Sequence, residues 1–510
     1  MPYRAAQLGD IQEMDTMTHT TIHNRVTLQP SEARSNRRPH SRHSRAGGNL
    51  ADQPSSLDSR LRGNDVLQTA EVLHNRLFLV LVIAFTFAAL AVEPTAETRK
   101  PNFVVILADD LGIECLSTYG GTAHDTPHLD RLAAQGMRFS HCFSNPLCSP
   151  SRATLLTGRY PLTNGLKIVI FDADRHAETY LHTDQPSFAR QLKQVGYTTA
   201  IAGKWQLSFL HERNTVNDFG FDQYQCWQIF RNDESKTQRF QKPHFLRNGE
   251  IIAEEIVDRY GPDVNVEFLT DFIKTNAAKK KPFLAYYTCL LPHFPWVPTP
   301  DSEDKSCRPD SATGLGNPRY FPDLVKYMDK CVGRLMQTVD ELGIADNTVF
   351  IFLADNGTDR RITNTWGDGK EIRGGKGSMT DRGTRVPLIV RWPGKIEAGS
   401  TCYDLIDFSD LCPTLCKLAG APLPAAKIHG RSFVPQLLDK RGKPREWIHA
   451  QNGDARHVRN REYILTNRGQ LRPVVEIWQP PAQSNQNKHP EKEVAARKAL
   501  QAALDSVKQD

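Results

Sequence analysis

The chain is poor in several features, and each shortage excludes a class of protein. Ten cysteines in 510 residues are too sparse for a disulfide scaffold. The uncharged run from Leu77 to Val92, LFLVLVIAFTFAALAV, stops at 16 residues, short of the about 20 needed to cross a bilayer as a helix. Charge is close to balanced, with 64 Lys and Arg against 58 Asp and Glu; a net +6 over this length does not point to a nucleic-acid binder. No internal repeat is found, which argues against a solenoid or propeller. What remains, 39% hydrophobic and 24% charged residues, suits an ordinary globular protein. The length leaves room for about three domains, or for one large α/β enzyme that uses most of it.

Residues 1–76 differ from the rest. They are rich in Arg, Ser, His and Asn and contain no apolar run able to build a core. They read either as a disordered extension or as upstream sequence translated from a start placed too early. His74, Asn75 and Arg76 then precede the apolar run, and Ala89-Leu90-Ala91 supplies a small-residue cleavage pattern. That arrangement is a secretory signal over 77–92, with translation starting near Val66–Leu73 and the mature chain near Val92. Export to a periplasm or the outside follows, with membrane attachment only through an uncleaved signal.

Downstream, short apolar runs alternate with amphipathic segments. Phe103–Ala108, Tyr197–Ala202, Phe283–Thr288, Thr348–Ala354 and Val386–Arg391 read as buried strands. Helices are expected from Thr126-Pro127 to Gly136, over Ser187–Val195, over Val264–Ala278 and over 320–342. In the last, Leu324, Met328, Val332, Leu335, Val339 and Leu342 recur at spacings of three and four. The fold class is therefore α/β, with a largely parallel sheet flanked by helices over 96–438. After about residue 438, charged and Pro-bearing segments, a strand candidate at Tyr463–Thr466 and a polar helix at about 490–508 indicate a small C-terminal α+β subdomain over 439–510.

In a parallel sheet, ligands gather beyond the carboxyl ends of the strands. Two strand ends carry clustered oxygen donors here: Asp109 and Asp110 after the first, Asp355 and Asn356 after a later one. Three carboxylates and an amide are hard ligands, suited to Ca²⁺ or Mg²⁺ rather than to zinc. Between these pairs stands Cys148-Ser149-Pro150-Ser151-Arg152, followed by Thr157-Gly158-Arg159.

This segment matches the sulfatase signature C-x-P-S-R with its trailing T-G-R. The chain resembles the type I sulfatases of the alkaline-phosphatase-like superfamily over about residues 100–438. PNFVVILADDLG, TPHLDRLAAQG, GYTTAIAGKW, PHFPW, ADNG and GGKGSMTDRGTRVPLIVRWPG occur in the family's order. The resemblance implies that a maturation enzyme oxidises Cys148 to formylglycine. One hydroxyl of the aldehyde hydrate would attack sulfur, and the other would release sulfate as the carbonyl reforms. It also implies that Asp109, Asp110, Asp355 and Asn356 hold a divalent ion, with residue 148 completing the shell. Donors of this kind outside the cytoplasm favour Ca²⁺, with Mg²⁺ possible. Arg152 would steady the hydrate, Lys204 and Lys376 would bind sulfate, and His293 would protonate the leaving alcohol or hold the sulfate. Cys148 would stand at a helix N-terminus, where an anion is favoured.

One position departs from the pattern. The family usually has a histidine two residues after the motif lysine, and Gln206 stands there. A glutamine can contact substrate but cannot act as a base. The expected substrate is a sulfated small molecule or glycan, with the loops 208–250 and 301–320 setting the choice. Two rivals remain: a phosphoesterase of the same superfamily, and a non-catalytic relative that binds sulfated glycans. Gly374–Ser378 is not a phosphate loop, because Gly377 follows Lys376 where Ser or Thr is required. Cys412 and Cys416 read as core residues or disulfide partners. N-terminal sequencing of the exported protein should find its first residue near Val92; a mature end upstream of Arg60 would overturn the signal reading.

Overall fold

The computed structural model describes residues 99–170, 179–306, 314–439, 442–475 and 490–507, with the single residues 78 and 477. The expected extension over 1–76 and the signal over 77–92 lie outside the described residues apart from Phe78. The chain divides after Val92, and every element below belongs to the unit Glu93–Asp510. Among the described residues no helix is long and apolar enough to cross a membrane.

Ten strands form the main sheet. They are β1 (Asn102–Asp109), β2 (Met137–Phe143), β3 (Thr198–Gly203), β4 (Gln223–Trp227), β5 (Phe245–Arg247), β6 (Glu250–Ile251), β7 (Phe283–Pro292), β8 (Thr348–Ala354), and, after the hairpin β9 (Thr363–Trp366) and β10 (Lys370–Arg373), β11 (Arg385–Arg391) and β12 (Ser400–Asp407). Their order across the sheet is β12-β2-β11-β8-β1-β7-β3-β4-β5-β6. The central run β8-β1-β7-β3-β4 is parallel throughout. β11 lies antiparallel to both β8 and β2, and β5 and β6 extend the other edge antiparallel. The parallel core is the one expected. Strands β2, β4 and β12 were not legible as apolar runs, since polar residues break each of them.

Burial accounts for the central strands. β1 (NFVVILAD), β7 and β8 (TVFIFLA) are buried along their whole length. A strand covered on both faces must be apolar on both. Each Val, Ile, Leu or Phe so buried contributes roughly 1.5–3 kcal/mol relative to exposure. The Phe321–Glu341 helix buries Leu324, Met328, Val332, Leu335 and Val339, the stripe its spacing implies. At the Phe188–Gln194 helix, Ser187 caps by accepting from Ala189 N. Thr126 precedes the Pro127–Ala134 helix but makes no cap bond. Asp329, from the long helix, accepts instead from His128 N at 3.0 Å and Leu129 N at 2.8 Å. One carboxylate thus satisfies two free N–H groups and ties two helices together.

Gly203 closes β3 at φ +114°, and a Cβ there would lie 1.9 Å from the Thr288 carbonyl oxygen. Only glycine lets β3 approach β7 this closely, and the next residue, Lys204, donates its N–H to the same carbonyl at 2.8 Å.

The C-terminal subdomain is a four-stranded antiparallel sheet of β13 (Ile448–Asn452), β14 (Ala455–Arg459), β15 (Tyr463–Thr466) and β16 (Leu471–Pro473). The Pro490–Ser506 helix packs Leu500, Ala503 and Leu504 with Val458 and Leu465. Its first strand is anchored to the larger part of the unit: Gln451 N donates to Asn145 Oδ1 at 2.9 Å and His449 N to Asp407 Oδ2 at 3.0 Å. Cys412 and Cys416 are free thiols buried on the Leu411–Ala419 helix, as their core reading requires.

Candidate active site

Four neighbouring parallel strands deliver side chains to one edge of the sheet. Asp109 ends β1, Lys204 follows β3, His293 follows β7, and Asp355 follows β8. The register of β1 against β7 shifts between Leu107 and Asp109, so the pairing is irregular where the acid sits. Asp110 turns away at φ +67°, a left-handed conformation uncommon outside glycine, as does Gln206 at φ +49°. Both are buried.

Backbone hydrogen bonds bind the loops to each other. Leu111 N donates to Asn356 O at 3.1 Å, Lys376 N to Thr358 O at 2.9 Å, and Gly377 N to Pro146 O at 2.8 Å. Gly112 N donates to Thr358 Oγ1 at 2.9 Å. Thus the Asp109–Asp110 turn, the Asp355–Asn356 turn, the Lys376 loop and the approach to Cys148 form one joined surface. Cys148 opens the helix Cys148–Thr157, and Leu147 at its N-cap makes no side-chain cap bond. The first-turn N–H groups are therefore not taken up by a capping side chain.

Charged side chains complete the centre. Lys204 Nζ lies 2.9 Å from both Asp109 oxygens. Arg152 donates from Nε to Asp355 Oδ2 at 2.9 Å and from Nη1 to Lys204 O at 2.9 Å; its Nη2 lies 2.8 Å from Asp355 Oδ2 and 3.6 Å from Asp109 Oδ1. Lys376 Nζ donates to Asp110 Oδ2 at 2.6 Å, and Asp110 N donates to Asp355 Oδ1 at 3.1 Å. Three cations thus face three carboxylates, all with little exposure.

The electrostatics follow from burial opposed by these pairs. Burial pushes Asp109 up, but Lys204 foremost, then His293 and Arg152, hold it well below the usual carboxylate range. Burial raises Asp110 against the pull of Lys376, and lifts Asp355 to about 7 against Arg152. The Cys148 thiol is raised by burial and feels Lys204, Lys376, Asp355 and Asp109. Burial, then Lys376, drives the His293 imidazole well below its ordinary value.

The donor set fits a hard divalent cation. Asn356 Nδ2 donates to Asp110 Oδ1 at 2.8 Å and to Gly357 O at 2.9 Å, which fixes the amide. Its other atom, Oδ1, is buried and has no hydrogen-bond partner among the described residues. A buried amide oxygen without a donor is costly unless a cation takes its lone pairs. Asp109, Asp110 and His293 also place one donor atom each within 4.8 Å of one another.

The side chains of Asp109, Asp110, Cys148, Arg152, Lys204, His293, Asp355, Asn356 and Lys376 thus face one another. Gln206, the expected substrate contact, has one side-chain hydrogen bond among the described residues. Its Nε2 donates to Ile170 O at 2.9 Å, leaving Oε1 buried without a partner among the described residues. In this orientation the unused atom is an acceptor. Two contributors were not legible in the sequence. Asn145, which accepts from Gln451 N, also donates to Thr154 Oγ1 at 3.1 Å and so braces the Cys148 helix. Arg239 places Nη2 2.9 Å from His293 Nδ1. An arginine in a loop without a motif carries no sequence signal of this kind.

The comparisons with known proteins agree with this geometry. A family model described as sulfatase matches residues 101–421, and one described as N-sulphoglucosamine sulphohydrolase, C-terminal, matches 375–468. Human arylsulfatase A is 32% identical over 373 residues, covering 69% of this chain and 70% of that protein. The N-acetylgalactosamine-6-sulfatase of Canis lupus familiaris is 31% identical over 392 residues, 71% of this chain and 70% of its own length. Among solved structures, a sulfatase from Pseudoalteromonas sp. superposes with a TM-score of 0.60 at 23% identity, over 80% of this chain and 90% of that one, which speaks for the fold alone. The chain belongs to the sulfatase family of sulfuric ester hydrolases.

Proposed function

We propose that this enzyme hydrolyses an aryl or carbohydrate sulfate ester, consuming water and releasing an alcohol and inorganic sulfate, with residue 148 as the nucleophile. The carrying observation is the convergence of Cys148, at an uncapped helix N-terminus, with Lys204, Lys376, His293 and the oxygen donors of Asp109, Asp110, Asp355 and Asn356. Oxidised to formylglycine by a maturation enzyme, residue 148 would supply a hydrated aldehyde hydroxyl as nucleophile. A divalent ion, Ca²⁺ by preference, would be held by Asp109, Asp110, Asp355 and Asn356 and would polarise sulfate oxygens.

The chain's own residues account for binding and charge. Lys204 and Lys376 receive the sulfate oxygens, together with the N–H groups of the Cys148 helix. Arg152, locked to Asp355 and to the Lys204 carbonyl, holds the acids and the nucleophile in fixed relation. His293 Nδ1 lies 2.9 Å from Arg239 Nη2 and 2.7 Å from Phe294 O. It can accept from the first or donate to the second, not both. Accepting from Arg239 leaves the proton on Nε2, 3.6 Å from Asp110 Oδ2 and so on the catalytic side, where it can be donated to the departing alcohol. Gln206 Oε1 would accept from a hydroxyl of the hydrate and take no proton.

The curated relatives named above act, by their names, on aryl sulfates and on N-acetylgalactosamine-6-sulfate. A sulfated aryl or sugar substrate is the matching class here, and the leader expected over 77–92 would place the enzyme in a periplasm or outside the cell. The matured enzyme should release nitrophenol from 4-nitrophenyl sulfate and leave 4-nitrophenyl phosphate essentially untouched. Cys148→Ser should lower turnover by at least about a thousandfold, the scale seen when a covalent nucleophile is lost. Preference for the phosphate would instead support a phosphoesterase. Gln206→His should keep or raise kcat, since general-base help is worth about a hundred- to ten-thousandfold. Complete loss of activity would mean that the pocket is built differently around residue 206.

A further inference from the structure

Three cations lie on the three carboxylates of the centre: Lys204 on Asp109, Arg152 on Asp355 and at longer range on Asp109, and Lys376 on Asp110. Arg239 is a fourth cation at the same centre. Its side chain comes from the loop between β4 and β5 and is 6% exposed. No carboxylate lies within ion-pair distance of it among the described residues, and its Nε is buried without a hydrogen-bond partner. Its one polar side-chain contact among the described residues is His293 Nδ1, at 2.9 Å. The faces of Trp227 and Phe240 lie 4.6 and 5.3 Å from the guanidinium carbon. Burial pulls its pKa down to about 10, so it still carries its charge near neutral pH.

Aromatic rings attract a cation but bring no negative charge. Trp227 and Phe240 lie against the guanidinium and His293 takes one of its donors; the remaining donors lie in the plane of the fork. That is the direction from which a carboxylate or sulfonyl oxyanion binds in bidentate fashion. A bound divalent ion would add positive charge to the centre, and one sulfate ester removes only a single unit. Asp109 and Asp110 act on Arg239 only from a distance, so a monoanionic substrate leaves it with no anion in contact.

Resting on the sulfatase reading above, we infer that Arg239 receives a second oxyanion carried on the leaving part of the substrate, so that the preferred substrate is a sulfate ester bearing a further acidic group next to the scissile one. The second group would sit on the Nδ1 side of His293, away from Asp110. This position lies within the 208–250 segment, one of the two expected to set substrate choice, and it is distinct from the residues that grip the scissile sulfate.

Three probes of one shape test this: 4-nitrophenyl sulfate and its analogues with a ring carboxylate or a ring sulfonate. Binding is measured by calorimetry on Cys148→Ser protein made without a maturation enzyme, so that residue 148 stays a serine and esters are held unhydrolysed, and kcat/KM on the matured enzyme. Cys148→Ser protein should bind at least one dianionic probe about ten- to a hundredfold tighter than the plain sulfate, the range expected for a charge-assisted contact. Which analogue gains shows whether a carboxylate or a sulfonyl group is preferred. Adding Arg239→Gln should abolish that preference, and Arg239→Lys should keep part of it at unchanged melting temperature. Equal affinity for all three probes, or equal losses for plain and dianionic probes in Arg239→Gln, would overturn the inference and leave the sulfatase reading standing. Neither binding nor hydrolysis of any sulfate would bring down both.

Discussion

The constraint on which the rest depends is the compensation of three buried carboxylates at the ends of adjacent parallel strands. β1 and β8 are neighbours, so the fold presses Asp109, Asp110 and Asp355 together out of contact with water. Left alone, such a cluster would repel itself or take up protons. The Arg152 guanidinium reaches both Asp355 and Asp109, and through Nη1 it also binds the carbonyl of Lys204, whose ammonium rests on Asp109. One arginine thereby links the Cys148 helix, two strand ends and Lys204. Replacing any member of this set would leave a buried charge unmatched, which is far costlier than losing a surface pair.

Much of this centre was legible because its signals are local. Apolar runs that end in acids mark β1 and β8, and the C-x-P-S-R segment marks the nucleophile and its arginine together. Lys204 and His293 are tied to recognisable strand ends, and Lys376 to a glycine-rich turn. What escaped notice depends on contacts far apart in the chain. Asp329 caps a helix 200 residues away. Gln451 braces Asn145 from a separate sheet over 306 residues. Polar residues break the pattern of β2 and β12, because these strands lie toward one side of the sheet and are only partly covered. The residue at 206 could be read, but not the direction of its amide, which the Ile170 carbonyl decides.

The C-terminal sheet has a mechanical part in the site. Its first strand bonds to Asn145, three residues before Cys148, and Asn452 Nδ2 donates to Gly377 O beside Lys376 at 3.1 Å. It therefore braces both the approach to Cys148, the proposed nucleophile, and the loop of Lys376. The catalytic side chains stand on strand ends and on loops bonded to one another, the arrangement that holds charges in place for a developing oxyanion.

The central claim is that residue 148 works as a carbonyl and not as a thiol. Mass spectrometry of the peptide spanning Cys148, from active protein made in its native host and treated with a hydrazine probe, measures this directly. Formylglycine at position 148, captured as the hydrazone, is the expected finding. An unmodified thiol in every molecule of an active preparation would contradict it.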